Sequence, residues 1–130
     1  MVKINEANFI TELLLAIPEF KNIHEEEKEY HEIGVNTILS DLKCFAENYQ
    51  KRKNQEMLKR IAEFILRCDI ESRDEVKNAI WVSFFETMNE DTIQAICKYL
   101  PTKYYTKIQE FLTAVDETSR RGAELRRDGN

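Results

Sequence analysis

Apolar residues recur every three or four positions from Phe9 to Val115, and no stretch sustains the two-residue alternation of a half-buried strand. That spacing stacks side chains along one face of a helix, so the chain is committed to amphipathic helices that must bury their stripes against one another. Three glycines and two prolines leave few turn-forming residues for hairpins, which argues against an all-β fold. At 130 residues a single domain buries roughly two thirds of the surface its unfolded chain exposes, enough to fold without staples. The fold class is therefore all-α: one compact bundle of five to six helices over residues 1–118, with a central apolar fourth helix and a flexible basic tail over 119–130.

The punctuation places the helices. Asn8 stands as the N-cap of a first helix carrying Phe9, Ile10, Leu13, Leu14 and Ile17, which Pro18 stops. After Gly34 a second helix runs through Val35, Ile38, Leu39, Leu42, Phe45 and Tyr49, and the polar run from Gln50 to Asn54 connects it to a third, Gln55 to Cys68. The segment Asp69 to Arg73 reads as a turn, with Ser72 and Glu75 spaced as a capping box for the fourth helix. That helix is apolar on nearly all sides around Trp81. Asn89 with Thr92 caps the fifth, and the sixth begins after Pro101 and ends near Thr118.

One segment breaks the pattern. From His24 to Glu32 five glutamates stand against one lysine within nine residues, and nothing apolar precedes Tyr30. Such a run cannot be buried along its length and concentrates a negative field at the surface. The chain carries a formal charge of −5; four arginines against Glu124 and Asp128 give residues 119–130 a net +2, so the remainder stands at −5 − 2 = −7.

Charge and motif content exclude most chemistries. A net negative body repels phosphates, so the small basic cluster Lys51-Arg52-Lys53 does not make a nucleic-acid interface. No run approaches the ~20 apolar residues of a membrane span, and Met1 to Ala16 lacks the layout of a secretory signal, which points to a cytosolic protein. Cys44, Cys68 and Cys97 are odd in number, without a C-x-x-C pair and set among apolar neighbours, so they read as core residues. His24 and His31, seven apart, lack the tighter spacing of a metal site. Glu90 and Asp91 fall at a helix start, where the macrodipole favours acids. No nucleophile elbow or phosphate-cradling glycine loop is present, so neither enzyme, metal nor cofactor is expected.

The segments Asn8-Phe9-Ile10-x-Glu12-Leu13-Leu14, Ile17-Pro18-Glu19-Phe20-Lys21, Leu39-Ser40-Asp41-Leu42-x-x-Phe45 and Val76-x-x-Ala79-Ile80-x-Val82-Ser83-Phe84-x-Glu86 resemble a family of small, functionally uncharacterised bacterial cytosolic proteins. The likeness spans most of the body and rests on packing residues, so it implies a shared fold and brings no catalytic residue. In size, charge and class the chain is also similar to bacterial immunity proteins that neutralise toxins in contact-dependent competition.

These readings converge on a non-enzymatic binding domain, most concretely an immunity protein that occludes a basic cognate toxin domain. Glu25, Glu26, Glu27, Glu29 and Glu32 supply carboxylates for lysines and arginines, and Tyr30 supplies an aromatic hot spot. Asp41 and Glu86, at the margins of helices, complete the candidate interface. The alternative is a regulatory or housekeeping interaction module unrelated to toxins. Oligomeric state is left open by the sequence.

Overall fold

The computed structural model describes residues 3–21 and 34–128, with side-chain environments through Val115. Six helices account for nearly all of it: α1 Phe9–Ala16, α2 Val35–Lys51, α3 Gln55–Glu71, α4 Asp74–Ala79, α5 Glu90–Cys97 and α6 Thr102–Asp128. A 3-10 turn, Pro18–Phe20, follows α1, and α4 runs without a break into a π-helical stretch, Ile80–Phe85. No strand forms among the described residues; a single parallel bridge joins Ile4 to Ser72. The bundle expected from the apolar period is what the chain builds.

The core is continuous. Phe9, Leu13, Ile17 and Phe20 from the N-terminal segment meet Leu39, Leu42 and Ala46 of α2 and Leu58, Ile61 and Ala62 of α3, all fully buried. Aromatic contacts tie the layers, with Phe9 5.7 Å from Phe64 and Phe20 edge-on to Phe45 at 5.5 Å between ring centroids. Such pairs add about 0.5–1.5 kcal/mol beyond the area they bury. Ion pairs close the outside of the α1–α3 seam: Arg60 grips Glu19 at 2.6 Å, and Arg67 bridges Glu12 at 2.9 Å and Glu71 at 2.8 Å. The Arg60 guanidinium, chiefly through its hydrogen bond, holds the Glu19 carboxyl below its ordinary range.

Polar pairs fix how α2 meets the π-helical stretch and the turn that follows it. Ser83 donates to Asn36 at 2.7 Å, Lys43 to Thr87 at 3.0 Å, and the Asn89 backbone N–H to Glu47 at 2.9 Å. Residue numbers rise together along both elements, so the two helices run parallel. The Tyr104 hydroxyl hydrogen-bonds Asp69 and anchors α6 to α3. Burial, followed by that carboxylate, pushes the Tyr104 phenol up to about 12.

Several local expectations give way to tertiary demands. Asn8 precedes α1 without capping it, because its Oδ1 accepts the Asn5 N–H at 2.8 Å while Asn5 Oδ1 accepts the Asn8 N–H at 3.0 Å. The reciprocal pair folds the chain end back so that Ile4 can be buried beside Ser72. Ser72 and Glu75 form no capping box. The Ser72 hydroxyl instead turns back to the Cys68 carbonyl, and α3 continues through Glu71, because the Ile4 N–H reaches the Glu71 carbonyl at 3.3 Å and holds that end in place. α2 likewise extends through Lys51 and closes as a Schellman motif: Lys53 N–H to Gln50 O at 2.9 Å and Asn54 N–H to Tyr49 O at 3.0 Å, with Lys53 at φ 55°. α6 does not stop near Thr118 but stays helical to Asp128, in line with the good helix formers Ala123 to Arg127.

Of the three cysteines placed in the core, only Cys68 is buried; Cys97 is half-buried and Cys44 is exposed. Cys44 lies two residues beyond Leu42, about 200° around α2 and so opposite the inward stripe.

Candidate functional site

The π-helical stretch sets the geometry of the most distinctive surface. The Glu86 N–H bonds the Trp81 carbonyl at 3.0 Å, five residues back instead of four, which widens the turn. Ile80, Phe84 and Phe85 are driven into the core, where Phe84 meets Phe85 edge-on at 4.9 Å. Trp81 and Val82 turn toward the other side. The indole packs on Phe85 at 5.6 Å and on Phe111 of α6 at 5.5 Å yet stays half-buried, and Val82 is 52 % exposed. A helix apolar on nearly all sides needs neighbours on all sides, and among the described residues α6 covers the outer one through Phe111.

Between these two helices lies an open groove of about 540 Å³ lined by Asn78, Trp81, Val82, Lys107, Glu110 and Phe111. Its floor is apolar and its charges are on the rim. The Lys107 ammonium sits over the Tyr104 ring at 5.5 Å, which draws the one lining cation toward α6 itself. Glu110 is exposed, and Glu86 lies one widened turn beyond Trp81. Neither carboxylate is engaged in a hydrogen bond or ion pair among the described residues.

A second apolar depression of about 380 Å³, on the outer face of α3, is lined by Glu63, Leu66, Arg67, Ile70 and Glu71. Its Arg67 and Glu71 are already paired to each other, so most of its charge is spent within the fold. A polar hollow formed by Gln50, Lys53, Gln55, Asp91, Gln94 and Lys98 mixes both signs of charge. Glu90 is absorbed locally, accepting from Gln94 at 3.3 Å and from Tyr105 at 3.4 Å. No cluster of three metal-ligating side chains occurs among the described residues. Two of the thiols are suppressed, burial pushing Cys68 up to about 12 and Cys97 up to about 11.

Glu25, Glu26, Glu27, Glu29, Tyr30 and Glu32 lie outside the described residues, as do His24 and His31. Asp41 is half-buried on α2. Neither Asp41 nor Glu86 lines the groove; Trp81 and Val82, which do, read from the sequence as part of the central apolar helix. The signal that could identify Trp81 and Val82 is the unbroken apolar run Ile80-Trp81-Val82, which no single inward stripe of a helix can bury whole.

A family model described as Domain of unknown function (DUF7674) matches residues 10–114. No curated protein and no solved structure matches the chain.

Proposed function

The chain belongs to the family described as Domain of unknown function (DUF7674), and on that premise we propose that it is a non-enzymatic binding domain for a basic protein partner. In its most concrete form the partner is a cognate toxin domain, which the chain occludes as an immunity protein. The observation that carries this reading is charge. Five glutamates against one lysine between His24 and Glu32, in a chain of formal charge −5, present a field that attracts lysine- and arginine-rich surfaces and repels nucleic acid. The half-buried Trp81 beside exposed Val82 adds the apolar anchor that charge alone does not provide. No helix among the described residues is long and apolar enough to cross a membrane.

The test is association kinetics with the partner captured from the source cell, at low and high salt. Replacing Glu25, Glu26, Glu27, Glu29 and Glu32 together by glutamine should leave thermal stability nearly unchanged, slow association and flatten its salt dependence. Equal association of variant and wild type at low salt sinks the reading.

A further inference from the structure

We propose that residues 3–8 are a latch on a two-state corner between α3 and α4. Docked, the latch suppresses the capping box of Ser72 and Glu75; released, it lets Arg73 turn helical and the box form. The device goes beyond the binding reading and does not depend on the partner's identity.

The latch is held at one point. Of residues 3–8 only Ile4 is buried. Two backbone hydrogen bonds tie it to the corner, Ile4 N–H to the Glu71 carbonyl at 3.3 Å and Arg73 N–H to the Ile4 carbonyl at 3.4 Å, both longer than the roughly 2.7–3.2 Å of an ordinary N–H···O bond. Asn5 and Asn8 bond each other, and Asn8 Nδ2 donates to the Lys3 carbonyl at 3.0 Å, so the segment holds its shape by bonds of its own. Open hollows flank it on both sides. One of about 330 Å³ is lined by Asn5, Glu6 and Ala7, the other of about 580 Å³ by Lys3, and Arg73 and Glu75 line both.

The corner beneath the latch carries the residues of a second conformation. In Ser-x-x-Glu the serine oxygen accepts the backbone N–H three residues on, and the glutamate accepts the N–H of the serine. Ser72 already has the extended backbone of an N-cap, at φ −98° and ψ 167°. Arg73 is the departure: at φ −79° and ψ 167° it is extended where the first helical residue belongs, and its N–H is engaged by Ile4. As a result α4 begins one residue late, at Asp74, without a side-chain cap. Glu75 stands exposed and makes no hydrogen bond or ion pair among the described residues, while the Ser72 hydroxyl and N–H both turn to the Cys68 carbonyl. Release therefore exchanges one buried isoleucine for a reciprocal cap. Burying the isoleucine outweighs the cap by a small margin, so the docked form predominates and the released form lies close above it.

The test is a double-mutant cycle on the full chain, followed by urea unfolding. Glu75→Ala should leave the unfolding constant of the wild-type chain within about twofold, and in an Ile4→Ala background, where the latch has lost its anchor, it should raise that constant about fivefold. Glu75→Gln keeps the bond to the Ser72 N–H and should be silent in both backgrounds, which separates the box from an effect of the carboxylate on the helix dipole. Equal effects of Glu75→Ala in the two backgrounds overturn the latch. Hydrogen exchange of the wild-type chain reads release directly and does not require the Ile4→Ala chain to fold. The Ile4 and Arg73 amides should exchange together, about a hundredfold faster than the Leu58 and Ile61 amides of α3 and with little dependence on urea. Exchange of all four at a single rate set by global unfolding overturns it as well.

Discussion

Phe84 and Trp81 sit three residues apart on one helix and differ in what surrounds them: Phe84 is wholly enclosed, and Trp81 has protein on one side and solvent on the other. Truncation of an enclosed aromatic costs about 3–5 kcal/mol through lost transfer energy and a residual cavity. Phe84→Ala should fall in that range and Trp81→Ala clearly below it, as urea unfolding followed by circular dichroism would measure; equal costs would mean that the indole is as enclosed as Phe84. The thiols make a second residue-level test. Ellman's reagent should modify Cys44 at once, Cys97 slowly, and Cys68 only on unfolding. Cys68, Cys97 and Tyr104 all have folded values raised above 9.0, 9.0 and 10.0, to about 12, 11 and 12. Between those limits the unfolded chain has released protons that the folded one retains, so stability is whole below about pH 9 and falls as pH rises toward 12. Sequence told which residues are apolar but not which of them lie inside. Cys44 stands beside buried Phe45 and is itself exposed, because one position along a helix is 100° of rotation.

Helix boundaries separate local chemistry from tertiary need. Asn89 was legible as a cap and forms one, accepting the Thr92 N–H at 2.9 Å, whereas the equally legible pair Ser72 and Glu75 forms none because the N-terminal segment claims that corner through Ile4. Asn89→Ala should therefore cost about 1 kcal/mol, and Glu75→Ala close to nothing. Thermal melts of the two variants decide it, and a costly Glu75→Ala would mean that the box does form in solution. Lys53 offers the opposite sign. It occupies the left-handed position that ends α2, where a side chain is strained and glycine is not, so Lys53→Gly should stabilise the domain by about 0.5–1 kcal/mol. No rule of composition identified that lysine, since the Schellman motif is defined by its hydrogen bonds and the run Gln50 to Asn54 looked only polar.

At the scale of the molecule, the bundle was readable because a three-to-four residue period admits no other economical packing, while the groove was not, because it arises from a shortage of neighbours and no single segment encodes a shortage. The long α6 brings the two together. Its buried residues among those described, Tyr104 and Ile108, lie in its first turns, and at about 1.5 Å per residue its 27 residues span roughly 40 Å against about 26 Å for the 17 residues of α2. Ending the chain after Thr118 removes residues 119–130 and none of the described core, so the melting temperature should move by no more than a few degrees while the far-ultraviolet helical signal falls. The same truncation carries the formal charge from −5 to −5 − 2 = −7. If a negative field steers the partner, the shortened chain should associate faster at low salt, and the difference should vanish at high salt, where the Debye length shrinks to a few ångströms. A shortened chain that associates more slowly would instead place the arginines of α6 in the contact, and the partner's surface there would have to be acidic.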